Sequence, residues 1–240
     1  MTVRWAEATD VGLVRSRNQD AVLCRADPTG ARGVLLVVAD GMGGQAAGEV
    51  ASRMAIDAVA DVYFASAEAP ATALRQGLAE ANRRIVEANA VQAEERGMGT
   101  TCVAVAVHGG RACALHVGDS RAYHLRGPVL VRLTRDESVW AEHVRAGASP
   151  AQLYGRNQLL QAVGMEAELE LQPPSELACQ PGDRVLLCSD GLWGLVTDPE
   201  LAAVAGAGDL AGACQRLVAL ANARGGSDNV SVVLAEIGPG

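Results

Sequence analysis

The chain has 240 residues, of which 49% are hydrophobic and 20% charged, with a formal net charge of -8. That length and apolar content suit one large domain or two small ones around a sizeable core, and exclude a disordered chain. The acidic balance, with no basic run anywhere, argues against nucleic acid or an anionic membrane as a general partner, because both select clustered Lys and Arg.

In chain order, MTVRWAEATD carries no apolar stretch, and no later window approaches about 18 uninterrupted apolar residues. Neither export nor membrane insertion is expected, and the expected location is cytoplasmic. DAVLCRA (20–26) reads as a strand opened by Asp20. GVLLVVAD (33–40) is a second, stopped by Asp40, and Gly41, Gly43, Gly44 and Gly48 follow at once. Read literally, Gly41, Gly43 and Ala46 satisfy G-x-G-x-x-A, a dinucleotide-binding fingerprint, with Asp57 and Asp61 near the distance of a ribose-binding acid. Against that, Asp40 would face a pyrophosphate with like charge unless a cation lay between them.

Glu49 to Tyr63 has helical spacing, with Val50, Met54, Ala58 and Val62 on one face. Glu49, Arg53, Asp57 and Asp61 recur on another as a solvated stripe, which makes the two aspartates poor ribose ligands. A second helix, roughly 70–93, places Leu74, Leu78, Ala81, Ile85 and Ala88 on one side. TTCVAVAVH (100–108), ACALHVGD (112–119), RAYHL (121–125) and VLVRL (129–133) read as strands. The GG at 109–110 and the break at 126–128 make hairpins of them, so much of the sheet is antiparallel.

Between 136 and 165 the pattern weakens. Short amphipathic pieces at Trp140 to Val144 and Asn157 to Val163 flank GASPAQLYG, which reads as a flap over one end of the sheets. RVLLCSD (184–190) is a strand stopped by Asp190, a helix spans 209–223 with Leu210, Cys214, Leu217 and Ala221 inward, and NVSVVLAEI (229–237) is the last strand. This order does not repeat βαβα, so an α+β sandwich fits better than a doubly wound parallel sheet. One domain, 1–240, is expected, with no regulatory domain or tether after the last strand.

The six cysteines lie far apart with no C-x-x-C pair, and read as small buried hydrophobes. Cys188, a strand thiol beside carboxylates, is expected to react poorly. His108, His116, His124 and His143 form no zinc-binding set, so any metal is held by oxygen. Asp40 and Asp190 fall after strands, Asp20 and Asp228 before them, and antiparallel pairing brings such ends to one rim. Singly, each is an ordinary turn aspartate. Together, four carboxylates need cations, and an all-oxygen set suits Mg²⁺ or Mn²⁺, as a pair sharing one carboxylate. Two such ions about 3.5–4 Å apart generate a hydroxide and polarise a phosphoryl oxygen.

The ordered set RSRNQD (15–20), ADGMGG (39–44), GTT (99–101), VGDSRAY (117–123), SDGLWGLV (189–196) and GGSDNVSVV (225–233) resembles the metal-dependent serine/threonine protein phosphatases of the protein phosphatase 2C-like group, particularly its short bacterial members. The resemblance spans essentially the whole chain. It implies a four-layer α/β/β/α sandwich of two antiparallel sheets, with two Mn²⁺ or Mg²⁺ ions at one end. The implied activity is direct attack of a metal-activated water on phosphoserine or phosphothreonine in proteins, and the implied partners are substrates of a serine/threonine kinase.

By position, Asp40 resembles the acid that bridges both ions, Asp190 and Asp228 the other ligands of the first, and Asp20 a ligand of the second, joined by the backbone carbonyl of Gly41. Arg15 matches the residue that pairs with substrate phosphate, for which a guanidinium fork is apt. Asn229 matches the Asn beside the last ligand, in a supporting or water-orienting role. Asp119 matches a weaker third site, although Gly194 stands where some relatives carry an acid. Met42 and Gln45 replace a His that many members place in the glycine turn as general acid, leaving water to protonate the leaving group. Asp136-Glu137-Ser138 stands where bacterial relatives often read DHS. The other readings are a nucleotide-binding oxidoreductase, from the glycine fingerprint, and an inactive phosphopeptide-binding relative, against which the intact acid set argues.

Overall fold

The computed structural model describes residues 1–240 apart from 45, 92–96, 150–154 and 156–157. In order come β1 (Val3–Asp10), β2 (Asp20–Ala26), β3 (Val34–Met42), α1 (Ala47–Ala65), α2 (Pro70–Val91), β4 (Gly99–Thr100), β5 (Cys102–His108), β6 (Arg111–Val117), β7 (Arg121–Arg126) and β8 (Val129–Arg132). Then follow α3 (Val139–Arg145), β9 (Ser175–Ala178), β10 (Arg184–Cys188), α4 (Asp190–Trp193), α5 (Asp198–Ala205), α6 (Leu210–Ala223) and β11 (Val230–Ile237). One sheet has the order β1-β11-β10-β7-β8 and the other β2-β3-β5-β6-β9, with the short β4 on β3. Every pairing is antiparallel.

The uninterrupted apolar runs are explained by strands covered on both faces. Along β3, Val34, Leu36 and Val38 point between the sheets, while Leu35, Val37 and Ala39 point at α1 and α2. In the other sheet Val185, Leu187, Val233 and Ala235 meet them from across the sandwich, and Leu186, Cys188, Val232 and Leu234 turn outward to α5 and α6. The period of two along each strand thus builds three apolar cores and four layers, α/β/β/α. The hairpin at Gly109-Gly110 has φ of 57° and 74°, the left-handed pair that a two-residue turn between twisted strands requires.

Several expectations need correction. The buried face of α1 includes Ala51, Ala55, Ile56, Ala58, Val59 and Tyr63, so of the expected stripe Ala58 is fully buried, whereas Val50, Met54 and Val62 are only half-buried. The small alanines let the helix lie close to its neighbours, a feature that spacing of large side chains does not reveal. Strand β3 continues through Asp40 to Met42, and Asp190 opens α4 rather than ending a strand. The sequence reading passed over β1 and β9, edge strands that are largely exposed and so carry a weak apolar signal. It also missed α5, whose Thr197–Glu200 capping box was legible in TDPE.

Within 136–165, α3 is the first described piece. Among the segment's described residues, Ser138 bridges to Leu159 and Val163 bridges to Thr100. Most of GASPAQLYG and the start of the second amphipathic piece, Asn157, lie outside the described residues.

Candidate metal centre

Strand parity sets the site. Asp20 and Asp40 are direct cross-strand partners. Asp40 has the parity of Leu36 and Val38, whose side chains face the other sheet, so both carboxylates project between the sheets where the sandwich opens. Ser189 and Ser231 have the parity of Leu187 and Val233 and arrive from the opposite sheet. Ser189 donates to Asp20 at 2.7 Å and its hydroxyl accepts from the Ser231 amide at 3.0 Å.

Asp40, Gly41, Asp119, Asp190, Asp228 and Arg15 line one cavity of about 210 Å³ at this rim. Asp20 sits behind it, 8% exposed, with its second oxygen, Oδ1, buried and without a hydrogen-bond partner. Arg15 Nη2 donates to Asp228 Oδ2 at 2.8 Å. Among the described residues, no three His, Cys, Asp or Glu side chains converge as a finished ion cage. Asp228 is turned to Arg15 and Asp20 to Ser189.

The surrounding motifs hold the backbone of these acids. The GTT segment grips Asp40: the Thr101 hydroxyl accepts from its amide at 3.0 Å, while the Thr100 hydroxyl and the Thr101 amide both donate to its carbonyl at 2.9 Å. Gly41 has no room for a side chain, because a Cβ there would stand 2.0 Å from the Gly48 carbonyl and 2.5 Å from that of Gln19. The glycine turn therefore lets the first turn of α1 close onto the end of β3. Asn229 spends its amide on backbone, accepting from the Gln19 amide at 2.8 Å and donating to the carbonyls of Val11 and Arg17 at 2.9 and 2.8 Å. It braces the loop that carries Arg15. Gln19, which the sequence reading did not single out, lines the same cavity. Its signal was the RSRNQD motif itself.

The electrostatics disfavour a fully ionised set of acids. Burial, followed by the fields of Asp20, Asp190, Asp119 and Asp228, raises Asp40 well above the carboxylate range. Burial, then Asp190 and Asp136, pushes Asp119 up to about 7. Asp20 also rises to about 7, through burial and the fields of Asp190 and Asp228, against the nearby hydroxyls of Ser189 and Ser231, which lower it. Such a set does not ionise together unaided. Hard oxygen donors, mutual repulsion and an orphaned buried carboxylate oxygen fit a divalent ion of the Mg²⁺ or Mn²⁺ class.

Topology removes the dinucleotide reading. The neighbours of β3 run antiparallel to it and α1 leads into a second helix, so the described residues form no βαβ unit around Gly41. Asp57 and Asp61 are on the exposed side of α1, where Asp61 meets Arg84 at 3.2 Å. Cys188 is fully buried and its thiol is pushed to about 12, chiefly by burial.

A family model for protein phosphatase 2C matches residues 14–230. The chain belongs to the protein phosphatase 2C family. The serine/threonine protein phosphatase PstP of Mycobacterium tuberculosis is 37% identical over 243 residues, covering 99% of this chain but only 45% of PstP. This chain thus spans about half the length of that relative. The serine/threonine phosphatase stp of Listeria monocytogenes is 35% identical over 240 residues, with 95% of this chain and 93% of the relative covered. Among solved structures, the catalytic domain of PstP in complex with two manganese ions superposes with a TM-score of 0.87 at 34% identity, over 99% of each chain. The family's sandwich is the one found here.

Proposed function

We propose that the chain hydrolyses phosphoserine and phosphothreonine in proteins, as one catalytic domain with residues 136–165 as a flap beside the site. The observation that carries this reading is the cavity at the sandwich rim, where Asp40, Asp119, Asp190 and Asp228 meet a half-exposed arginine. Asp40, Asp190, Asp228 and the Gly41 carbonyl would hold two Mn²⁺ or Mg²⁺ ions, with Asp20 entering the second site by turning from Ser189. Asp119 would serve a weaker third. Bound ions supply Lewis acidity toward a phosphoryl oxygen and acidify a water.

The chain's own residues bind and orient. Arg15, with its side chain 52% exposed, releases Asp228 and forks onto the phosphate. Asn229 keeps the Arg15 loop in register with the last acid. The Thr100 and Thr101 contacts fix Asp40 before any ligand arrives. Among the described residues lining the cavity there is no His, and Met42 has no proton to give; water is assigned as the proton source for the leaving alkoxide, and Gln45 lies outside the described residues. The partners are phosphoproteins made by a serine/threonine kinase.

No helix among the described residues is long and apolar enough to cross a membrane. A cytoplasmic setting accords with six free cysteines. The test is hydrolysis of a small aryl phosphate and a phosphopeptide panel with and without Mn²⁺. Activity that depends on Mn²⁺ and favours phosphoserine or phosphothreonine over phosphotyrosine supports the reading. Full activity in excess chelator would sink it.

A further inference from the structure

Asp136, Glu137 and Ser138 each have a separate partner. Asp136 accepts two hydrogen bonds from Arg121, at 3.0 and 2.6 Å, with both residues buried. Ser138 caps α3 by accepting from the Ala141 amide. Glu137 does something different: it faces the turn that carries Asp119.

Glu137 Oε2 accepts from the amide of Gly118 at 3.0 Å, and the Glu137 amide donates to the carbonyl of Gly118, also at 3.0 Å. One residue therefore grips Gly118 at both its amide and its carbonyl, immediately before Asp119. From the other side Gln161 Nε2 donates to the same Oε2 at 3.3 Å, and the Leu160 amide donates to the Glu137 carbonyl at 2.8 Å. The next residue, Ser138, bridges to Leu159, which lines the acidic cavity. Glu137 is 9% exposed, so these contacts are made largely away from water, where losing one partner leaves a polar group unsatisfied.

We propose that Glu137 is a positioning residue that clasps the Asp119 turn to the 158–161 edge of the flap, so that the direction of the Asp119 carboxylate and the placing of Leu159 over the cavity are set together. A neutral side chain at 137 that keeps an acceptor, as in Glu137→Gln, retains part of this clasp. Glu137→Ala retains only the backbone half. The proposal rests on the reading of the cavity as a metal centre for its metal-binding arm, and on geometry alone for its exchange arm.

The experiment compares wild type, Glu137→Gln and Glu137→Ala by Mn²⁺ calorimetry and by amide hydrogen exchange of the metal-free proteins. In Glu137→Ala the weakest Mn²⁺ step is expected to weaken by about 10- to 100-fold, the usual cost of losing a partner that orients a ligand, while the tighter steps stay put. The Gly118 and Leu160 amides should exchange at least about tenfold faster, with β10 and β11 amides unchanged, because local opening is read by the bonds that hold it. Glu137→Gln should fall between, and it also serves if the alanine variant does not fold. Unchanged exchange at Gly118 and Leu160 overturns the clasp. Equal weakening of every metal step, or equally faster exchange throughout the sandwich, would show a merely structural residue and overturns it too. If wild type binds no Mn²⁺, the metal-centre reading fails, and the exchange arm decides the clasp by itself.

Discussion

Replacing Arg15 by Ala separates phosphate recognition from metal binding. In the structure the guanidinium is occupied by Asp228 at 2.8 Å, with side chains 52% and 30% exposed. A pair so open to water contributes about 0–1 kcal/mol to folding, so the variant should melt within a few degrees of wild type. Against substrate the guanidinium makes a charge-assisted contact worth about 1.5–3 kcal/mol, from which the loss of the Asp228 pair subtracts. The net places the fall in kcat/KM near about tenfold, with about a hundredfold as the ceiling. Arg15→Lys keeps the charge without the planar fork and should lose less. Steady-state kinetics on a phosphopeptide, with Mn²⁺ calorimetry on the same preparations, reads both quantities. Freed of its arginine, Asp228 should bind metal no worse than in wild type. Unchanged kcat/KM, or metal affinity lost as severely as in an aspartate variant, would refute the clamp and make Arg17 the better candidate.

Asp40→Asn should abolish the tight Mn²⁺ steps in calorimetry, whereas Asp119→Ala should disturb only the weak one; equal losses would contradict the ligand assignment. Gly41→Ala forces a Cβ to within 2.0 Å of a backbone oxygen. It should cost at least about 1–3 kcal/mol and weaken Mn²⁺ binding, and a wild-type denaturation midpoint would refute the close-packing account. Asp183, 2% exposed, accepts from Arg126 at 2.8 and 2.7 Å and from the Gln180 amide at 2.8 Å, and the Arg126 contact above all holds its carboxyl far below the ordinary range. With its folded pKa depressed, its contribution is fully present above the unfolded value of about 3.9 and is lost progressively as pH falls from there through the lower folded value. Asp183→Asn should thus destabilise by about 1.5–3 kcal/mol at pH 7, with the gap to wild type closing toward pH 3 in denaturant titrations. A gap independent of pH would refute this.

Much of the fold was legible because both sheets are covered on both faces. The runs at 33–40, 102–108, 184–188 and 230–237 are apolar on both parities, and the hairpin at Gly109-Gly110 declares its own turn. Edge strands β1 and β9 were not legible, since a half-solvated strand such as VRWAEATD spends its residues on charge. At the site, the acids were visible as strand punctuation, but three features depend on three dimensions. Asp20 and Asp40 lie across from each other only through the β2–β3 register. Asn229, in the sequence simply the neighbour of a ligand, turns out to hold the backbone at Val11, Arg17 and Gln19 more than 200 residues away. The Asp119 turn likewise depends on Trp193, whose indole donates to the Asp119 carbonyl at 3.0 Å, and on Arg121 stacked 3.5 Å over that ring.

The central claim is that the rim carboxylates form a two-ion centre. Anomalous diffraction from a crystal of this chain grown with Mn²⁺ tests it most directly. The account predicts two strong peaks inside the cavity, both in bonding contact with Asp40, one shared with Asp190 and Asp228 and the other with the Gly41 carbonyl, and Arg15 swung away from Asp228. Peaks absent from the cavity at saturating Mn²⁺, or an ion bound elsewhere with Arg15 still on Asp228, would contradict it.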